Sequence, residues 1–254
     1  MKSKQTDRVA TFEIWRKNNI NKFGNFIWPQ INYNVNNADI ISIIFEEKDG
    51  VNLSVVEFTK KLNNIQYFIL NFVNDKSPYY VNGTDLHNQL GLVLGKPLSA
   101  KVESYWDYRL HTKPQNCLTT DIDSLEIGKT KPIGIEAAQL FDTTTIDRAM
   151  PHIFRTFKFR VNKVNEKQYL AQHKLMQQIG GKAFILFHTI QNKMLIESEP
   201  VFLLDNNLEF YNMLYDIKNI KNESIFIKSY KTYLMSNLKQ YNNIYSAYNY
   251  IKCL

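Results

Sequence analysis

Three of the four carboxylates in one short stretch, Asp121, Asp123 and Glu136 of TTDIDSLEIGKTKPIGIEAAQL (119–140), have the types and spacing to do chemistry. The runs SLEI and PIGIEA have the apolar content of buried strands, and Gly-Lys-Thr-Lys-Pro reads as the connection of a hairpin between them. Side chains at i and i+2 of a strand share a face, so Asp121 and Asp123 point one way, as do Glu136 and Ala138. If the strands pair, those faces converge at one end of the hairpin. Carboxylates a few ångströms apart repel unless a cation sits between them, and an all-oxygen donor set suits Mg²⁺ or Mn²⁺. Asp121, Asp123 and Glu136 are therefore the candidate metal ligands. The competing reading puts Asp121 and Asp123 in a turn before the strand and leaves Glu136 solvated on an edge. The segments around the hairpin weigh against that alternative.

After the hairpin, NEKQYLAQHKLMQQI reads as a helix closed by Gly180-Gly181, and KAFILFHTI has the β-branched and aromatic content of a strand in a sheet core. This order resembles the core of the PD-(D/E)xK nuclease superfamily, the restriction-endonuclease-like fold. In that superfamily an Asp opens one strand, Glu-x-Lys lies on the next, and a helix and a further core strand follow. Within it the stretch is most similar to RecU-type Holliday junction resolvases, where an Asp precedes a Phe-Glu-Ala-Lys strand and a Gln-containing helix ends in Gly-Gly. Here Asp123 and Glu136 stand 136 − 123 = 13 positions apart, which suits the pattern. The resemblance covers residues 118 to 190, whereas the first half of the chain lacks the basic N-terminal signature of the RecU proteins.

The resemblance implies an α/β (α+β) chain with a restriction-endonuclease-like core, a central mixed β-sheet flanked by helices, plus an N-terminal α+β region and C-terminal helices. It implies a metal-dependent DNA endonuclease that leaves a 5′-phosphate. Asp123 and Glu136, with Asp121 as helper, would hold one or two Mg²⁺ (or Mn²⁺) ions that polarise the scissile phosphate and activate water. Gln172 or Gln168 would face the site from the helix. The expected setting is a type II restriction endonuclease cutting double-stranded DNA as a homodimer; a junction-resolving nuclease and a non-catalytic DNA-binding protein are the alternatives.

One catalytic position departs from the pattern. The Lys two places after the Glu falls on Ala138, in Glu136-Ala137-Ala138-Gln139. Without that ammonium the metal cage can persist while turnover collapses. Three explanations stand: a Lys-to-Ala change made to trap a substrate complex, which the otherwise intact motif favours; a natural non-catalytic relative; or replacement by another side chain. Gln139 points to the opposite strand face and is a weak replacement.

The elements that must position this site divide into residues 1–82 as a recognition or dimerisation region, 83–200 as the nuclease core and 201–254 as a helical region. The first contains a helix over 8–23, strands FIWPQINYNV and ADIISIIFEE, a Lys48-Asp49-Gly50 turn and a strand VNLSVVEFT. KLNNIQYFILNFV is ambiguous between helix and strand, and NDKSPYYVNGTD is the candidate linker. Residues 85–110 read as two helices. FDTTTIDRAMPHIFRTF reads as loop and short helix, and FKFRVN as a short strand. Asp39, Glu57 and Lys60 form a rival hairpin, with Lys60 one place too far for Glu-x-Lys.

The 254-residue chain carries a net charge of +7, which favours polyanionic partners. Arg148, Arg155, Lys158 and Arg160, interleaved with Phe154, Phe157 and Phe159, are candidate phosphate contacts, against an amphipathic segment whose Phe residues pack inward. Cys117 and Cys253 have no ligand or disulfide spacing, and no apolar run reaches membrane-spanning length. A cytoplasmic protein with no membrane partner is expected.

Overall fold

The computed structural model describes residues 7–24, 26–46, 66–71, 79–82, 117–140, 145–163, 166–192, 194–217 and 220–254. It has a mixed α/β fold whose central, mostly antiparallel sheet is flanked by helices. The hairpin expected at 124–140 forms: β7 (Ser124–Ile127) pairs antiparallel with β8 (Pro132–Leu140), with Ser124 opposite Ile135.

Two strand runs bend together from one sheet into another. β1 (Phe26–Ile27) and β2 (Gln30–Asn34) are interrupted at Trp28-Pro29, while β6 (Cys117–Asp121) and β7 are interrupted at Ile122-Asp123. β1 pairs with β7 and β2 with β6. Pro29 has no N–H for a ladder, so regular pairing fails there, and Ile122 N–H instead donates to the Pro29 carbonyl at 3.2 Å. The corner places Asp123 exactly where the chain leaves one sheet for the other.

On one side of the corner lies a five-stranded sheet, ordered β5-β4-β3-β2-β6, with β3 at Ile40–Glu46, β4 at Gln66–Asn71 and β5 at Tyr79–Asn82. KLNNIQYFILNFV thus supplies a strand, and the expected linker supplies β5, which pairs with β4. The expected VNLSVVEFT strand and the two helices of 85–110 lie outside the described residues.

On the other side, a seven-stranded sheet runs β1-β7-β8-β9-β11-β12, with β10 (Met194–Leu195) on β9. β9 (Lys182–Gln191) runs parallel to β8, whereas β11 (Val201–Asp205) and β12 (Leu238–Tyr241) add antiparallel. The chain beyond residue 200 therefore contributes two strands to this sheet, not helices alone. Parallel neighbours need a crossover, made here by α3 (Ile146–Lys163) and α4 (Lys167–Gln178).

The FKFRVN segment is helical, a correction to the expected strand. Its local alternation sits inside a longer helical repeat, in which Ala149, Met150, Ile153, Phe154 and Phe157 bury one face of α3. α4 ends as expected: Gly180 has φ +72°, Gly181 N–H donates to the Met176 carbonyl at 2.7 Å, and a Cβ on Gly181 would meet the Pro132 carbonyl at 2.5 Å.

β8, β9 and β11 are covered on both faces, which is why they read as continuous apolar runs. Ala138, Leu140, Ile185, Phe187, Phe202 and Leu204 face α3, α5 (Leu208–Ile217) and α6 (Glu223–Asn237). Ile133, Ile135, Phe184, Leu186 and Leu203 face α1 (Asp7–Asn18) and α7 (Ile244–Lys252). A short helix, α2 (Ile20–Phe23), follows α1.

A buried ion cluster pins α1 and α7 to β7. Glu126 accepts from Arg16 Nη2 at 2.9 Å, Ser124 Oγ at 2.8 Å, Tyr248 Oη at 3.2 Å and Lys252 Nζ at 3.1 Å. Arg16 and Glu126 side chains are both 0% exposed, so each depends on the other to offset lost hydration. Burial first, and the Glu126 charge second, push the Tyr248 hydroxyl well above its ordinary pKa. Among the described residues no helix is long and apolar enough to cross a membrane.

Candidate active site

Extending the β7–β8 register one place beyond Ser124 and Ile135 sets Asp123 opposite Glu136. Asp123 does not continue the ladder with its backbone. Its Oδ2 accepts the Ala137 N–H at 2.7 Å, so the side chain stands in for a strand carbonyl and is held across the hairpin. Asp123 is 7% exposed and Glu136 is half-buried.

Gln172, on the buried face of α4, completes the arrangement. Its Nε2 donates to Glu136 Oε2 at 3.0 Å and to the Asp121 backbone carbonyl at 2.8 Å, thereby joining both arms of the hairpin to the crossover helix. Its Oε1 accepts from Asn206 Nδ2 at 3.2 Å. α4 is itself anchored to the β2–β3 turn, where Lys167 donates to the Val35 and Asn36 carbonyls and Lys174 to the Asn37 carbonyl. Gln172 thus lies between the seven-stranded sheet and the corner.

The Asp121 carboxylate has a different partner: its Oδ2 accepts from Trp28 Nε1 at 3.3 Å, across the bent strand pair. Among the described residues, no group of three or more His, Cys, Asp or Glu side chains is gathered as a metal cage. The acidic site is a pair, Asp123 and Glu136, with Gln172 and the Asp121 backbone beside it. The pair offers hard oxygen donors from the two arms of the hairpin, with the Ala137 N–H and the Gln172 carboxamide among the groups that hold them. That donor chemistry fits Mg²⁺ or Mn²⁺.

Ala138 shares the Glu136 face of β8, is 0% exposed, and packs in the cluster of Leu140, Ala149, Ile153 and Phe157. Gln139 has register partner His188 on β9, and its buried Oε1 has no hydrogen-bond partner. His188 is fully buried, with its ring stacked on Phe12, and desolvation lowers its pKa to about 4. His173, next to Gln172, is also lowered, first by burial and then by the Lys174 charge, against a hydrogen bond to the Asn206 backbone.

The expected phosphate contacts lie on α3. Arg155 Nε donates to Glu223 Oε2 at 3.2 Å and Lys158 Nζ to the Ile220 carbonyl at 2.6 Å, so both tie α3 to the start of α6. Arg148 is exposed near the N-terminus of the same helix. Arg160 lies in α3, and its side chain is outside the described residues. Gln168 is buried on α4, one turn before Gln172. Of the rival hairpin, Asp39 is exposed and pairs with Lys174 at 2.6 Å; Glu57 and Lys60 lie outside the described residues.

Sequence reasoning did not single out Asn206 or Trp28. Asn206 precedes Asn207, whose side chain accepts the Phe210 N–H at 2.9 Å as a cap of α5. An Asn-Asn pair before a helix signals capping, which masks the second role. Trp28 had only its place beside Pro29 to mark it.

Compared with known proteins, the chain matches no family model, no curated protein sequence and no solved structure.

Proposed function

We propose that the protein is a metal-dependent DNA endonuclease, a phosphodiester hydrolase of the PD-(D/E)xK type, with a type II restriction endonuclease as the preferred setting. The observation that carries this reading is the bond from the Ala137 N–H to Asp123, which holds that carboxylate beside the strand of Glu136, with Gln172 from the crossover helix bonded to Glu136. The order of an antiparallel hairpin, a helical crossover and a parallel strand supports it, as does the net charge of +7, which favours a polyanionic substrate.

Asp123 and Glu136 would hold Mg²⁺ or Mn²⁺. A divalent ion held by these two carboxylates would polarise a phosphoryl oxygen and lower the pKa of bound water. The Ala137 N–H fixes the Asp123 carboxylate, and the Gln172 carboxamide fixes that of Glu136, so neither ligand has to be ordered when the substrate arrives. Duplex DNA, a homodimer and a cytoplasmic location belong to the same proposal.

Alanine at 138 supplies no ammonium to offset charge developing at the phosphate, so turnover by the chain as it stands is expected to be low. The complete burial of Ala138 among apolar side chains favours a second reading, a DNA-binding protein with a nuclease-like core and no catalysis.

The test is to incubate the protein and its Ala138→Lys variant with Mg²⁺ on mixed-sequence duplex and on four-way junctions, mapping the ends. Discrete ends sharing a short motif, produced by the variant and abolished by adding Asp123→Asn, support the restriction reading. Cleavage confined to junctions supports a resolvase. Salt-sensitive binding without cleavage by either protein moves the assignment to the non-catalytic reading.

A further inference from the structure

Glu136 Oε2 and the Asp121 carbonyl are both acceptors, so Gln172 must turn its NH₂ group toward them. Its Oε1 then faces Asn206, which must in turn present its own NH₂. The Asn206 Oδ1 is left buried with no hydrogen-bond partner, although the residue is only 2% exposed. An unpaired buried acceptor calls for an explanation, and the chain of obligations beginning at the acidic pair provides one.

The backbone of Asn206 is held independently of that side chain. Its N–H donates to the Ala183 carbonyl at 2.9 Å. Asn206 is thus tied by its backbone to the start of β9, at the point from which its carboxamide reaches Gln172 on α4.

We infer that Asn206 is a positioning residue for the acidic site: by donating to Gln172 Oε1 it locks the side-chain amide of Gln172 in the one orientation that can hold the Glu136 carboxylate. The inference rests on the proposed metal-dependent function for its consequence, but its geometry can be tested without a metal. Because the backbone bond to Ala183 does not involve the side chain, a change at 206 acts on the amide relay.

The discriminating substitution is Asn206→Asp, nearly isosteric, which replaces the donor facing Gln172 Oε1 with an acceptor. In metal-free protein, the Gln172 side-chain NH₂ is expected to give two resolved, slowly exchanging ¹⁵N–¹H resonances, which Asn206→Asp shifts and opens to exchange. Mn²⁺ titration of the same proteins is expected to show binding weakened about tenfold by Asn206→Asp, with no further loss when that change is added to Gln172→Ala. Gln172 resonances unchanged by Asn206→Asp would overturn the inference, as would an equal Mn²⁺ loss in the Gln172→Ala background. Mn²⁺ binding indifferent to Asp123→Asn overturns the metal reading instead, and the metal-free resonances still decide the role of Asn206. Asn206→Ala serves as a second variant should the aspartate disturb folding.

Discussion

Asp123 Oδ2 accepts the Ala137 N–H at 2.7 Å, so the carboxylate that opens one arm of the hairpin is bonded to the backbone beside the carboxylate on the other arm. The contact holds the Asp123 carboxylate against the strand that carries Glu136, where the two sheets join.

In metal-free buffer, Asp123→Asn is expected to stabilise the protein, because an Asn oxygen can still accept the Ala137 N–H while one of the two charges that the proposed metal site gathers is removed. The expected gain is about 1 kcal/mol, of the kind seen when functional strain is relieved. Chemical denaturation measures it. A loss of stability would mean that the two carboxylates do not oppose each other.

The Glu126 cluster behaves in the opposite way. Glu126→Ala leaves the fully buried Arg16 without its counter-charge and should cost about 3–5 kcal/mol. Lys252 reaches the same carboxylate from a partly exposed position, and Lys252→Ala should cost about 1 kcal/mol or less. Urea midpoints of the two variants give the comparison.

His188 sets a pH dependence. Its folded pKa is about 4 against an ordinary 6.5, so between those values the unfolded chain binds the extra proton and the folded one does not. Stability is then constant above about pH 6.5 and falls as pH drops toward 4, by roughly 3 kcal/mol over the window. His188→Phe should flatten that part of the stability–pH profile, leaving the carboxylate contribution at lower pH.

Ala138→Lys places a stem in an apolar cluster, but Glu136 lies only about 7 Å away along the strand, within reach of a lysine ammonium. The variant should fold with a loss of roughly 1–3 kcal/mol from overpacking. Thermal unfolding of the variant, with and without Glu136→Gln, tests whether the ammonium finds that carboxylate: the second change should lower stability further.

The parts of the site that were legible in the sequence are governed by local rules. The i, i+2 alternation placed Glu136 and Ala138 on one face, and the Gly180-Gly181 pair ended α4, whereas the choice between Gln172 and Gln168 came only from the family resemblance. Non-local packing hid the rest. FKFR alternates like a strand, but Ile153, Phe154 and Phe157 extend a helical stripe begun at Ala149. Pro78 and Gly83 suggested a linker, yet Tyr79–Asn82 pairs with β4. By spacing Asp121 shares a face with Asp123 as its helper, and the corner at Trp28-Pro29 brings an indole N–H to its carboxylate. Asn206 reaches Gln172 from 34 positions away, and that pairing leaves no local spacing to read.

The most direct test of the metal site is calorimetric titration of the protein with Mn²⁺, beside Asp123→Asn and Glu136→Gln. Saturable binding by the parent protein and at least a tenfold loss of affinity in each variant are expected, since each removes one of two charged ligands. Three superimposable isotherms would contradict this and remove the acidic pair as a metal site.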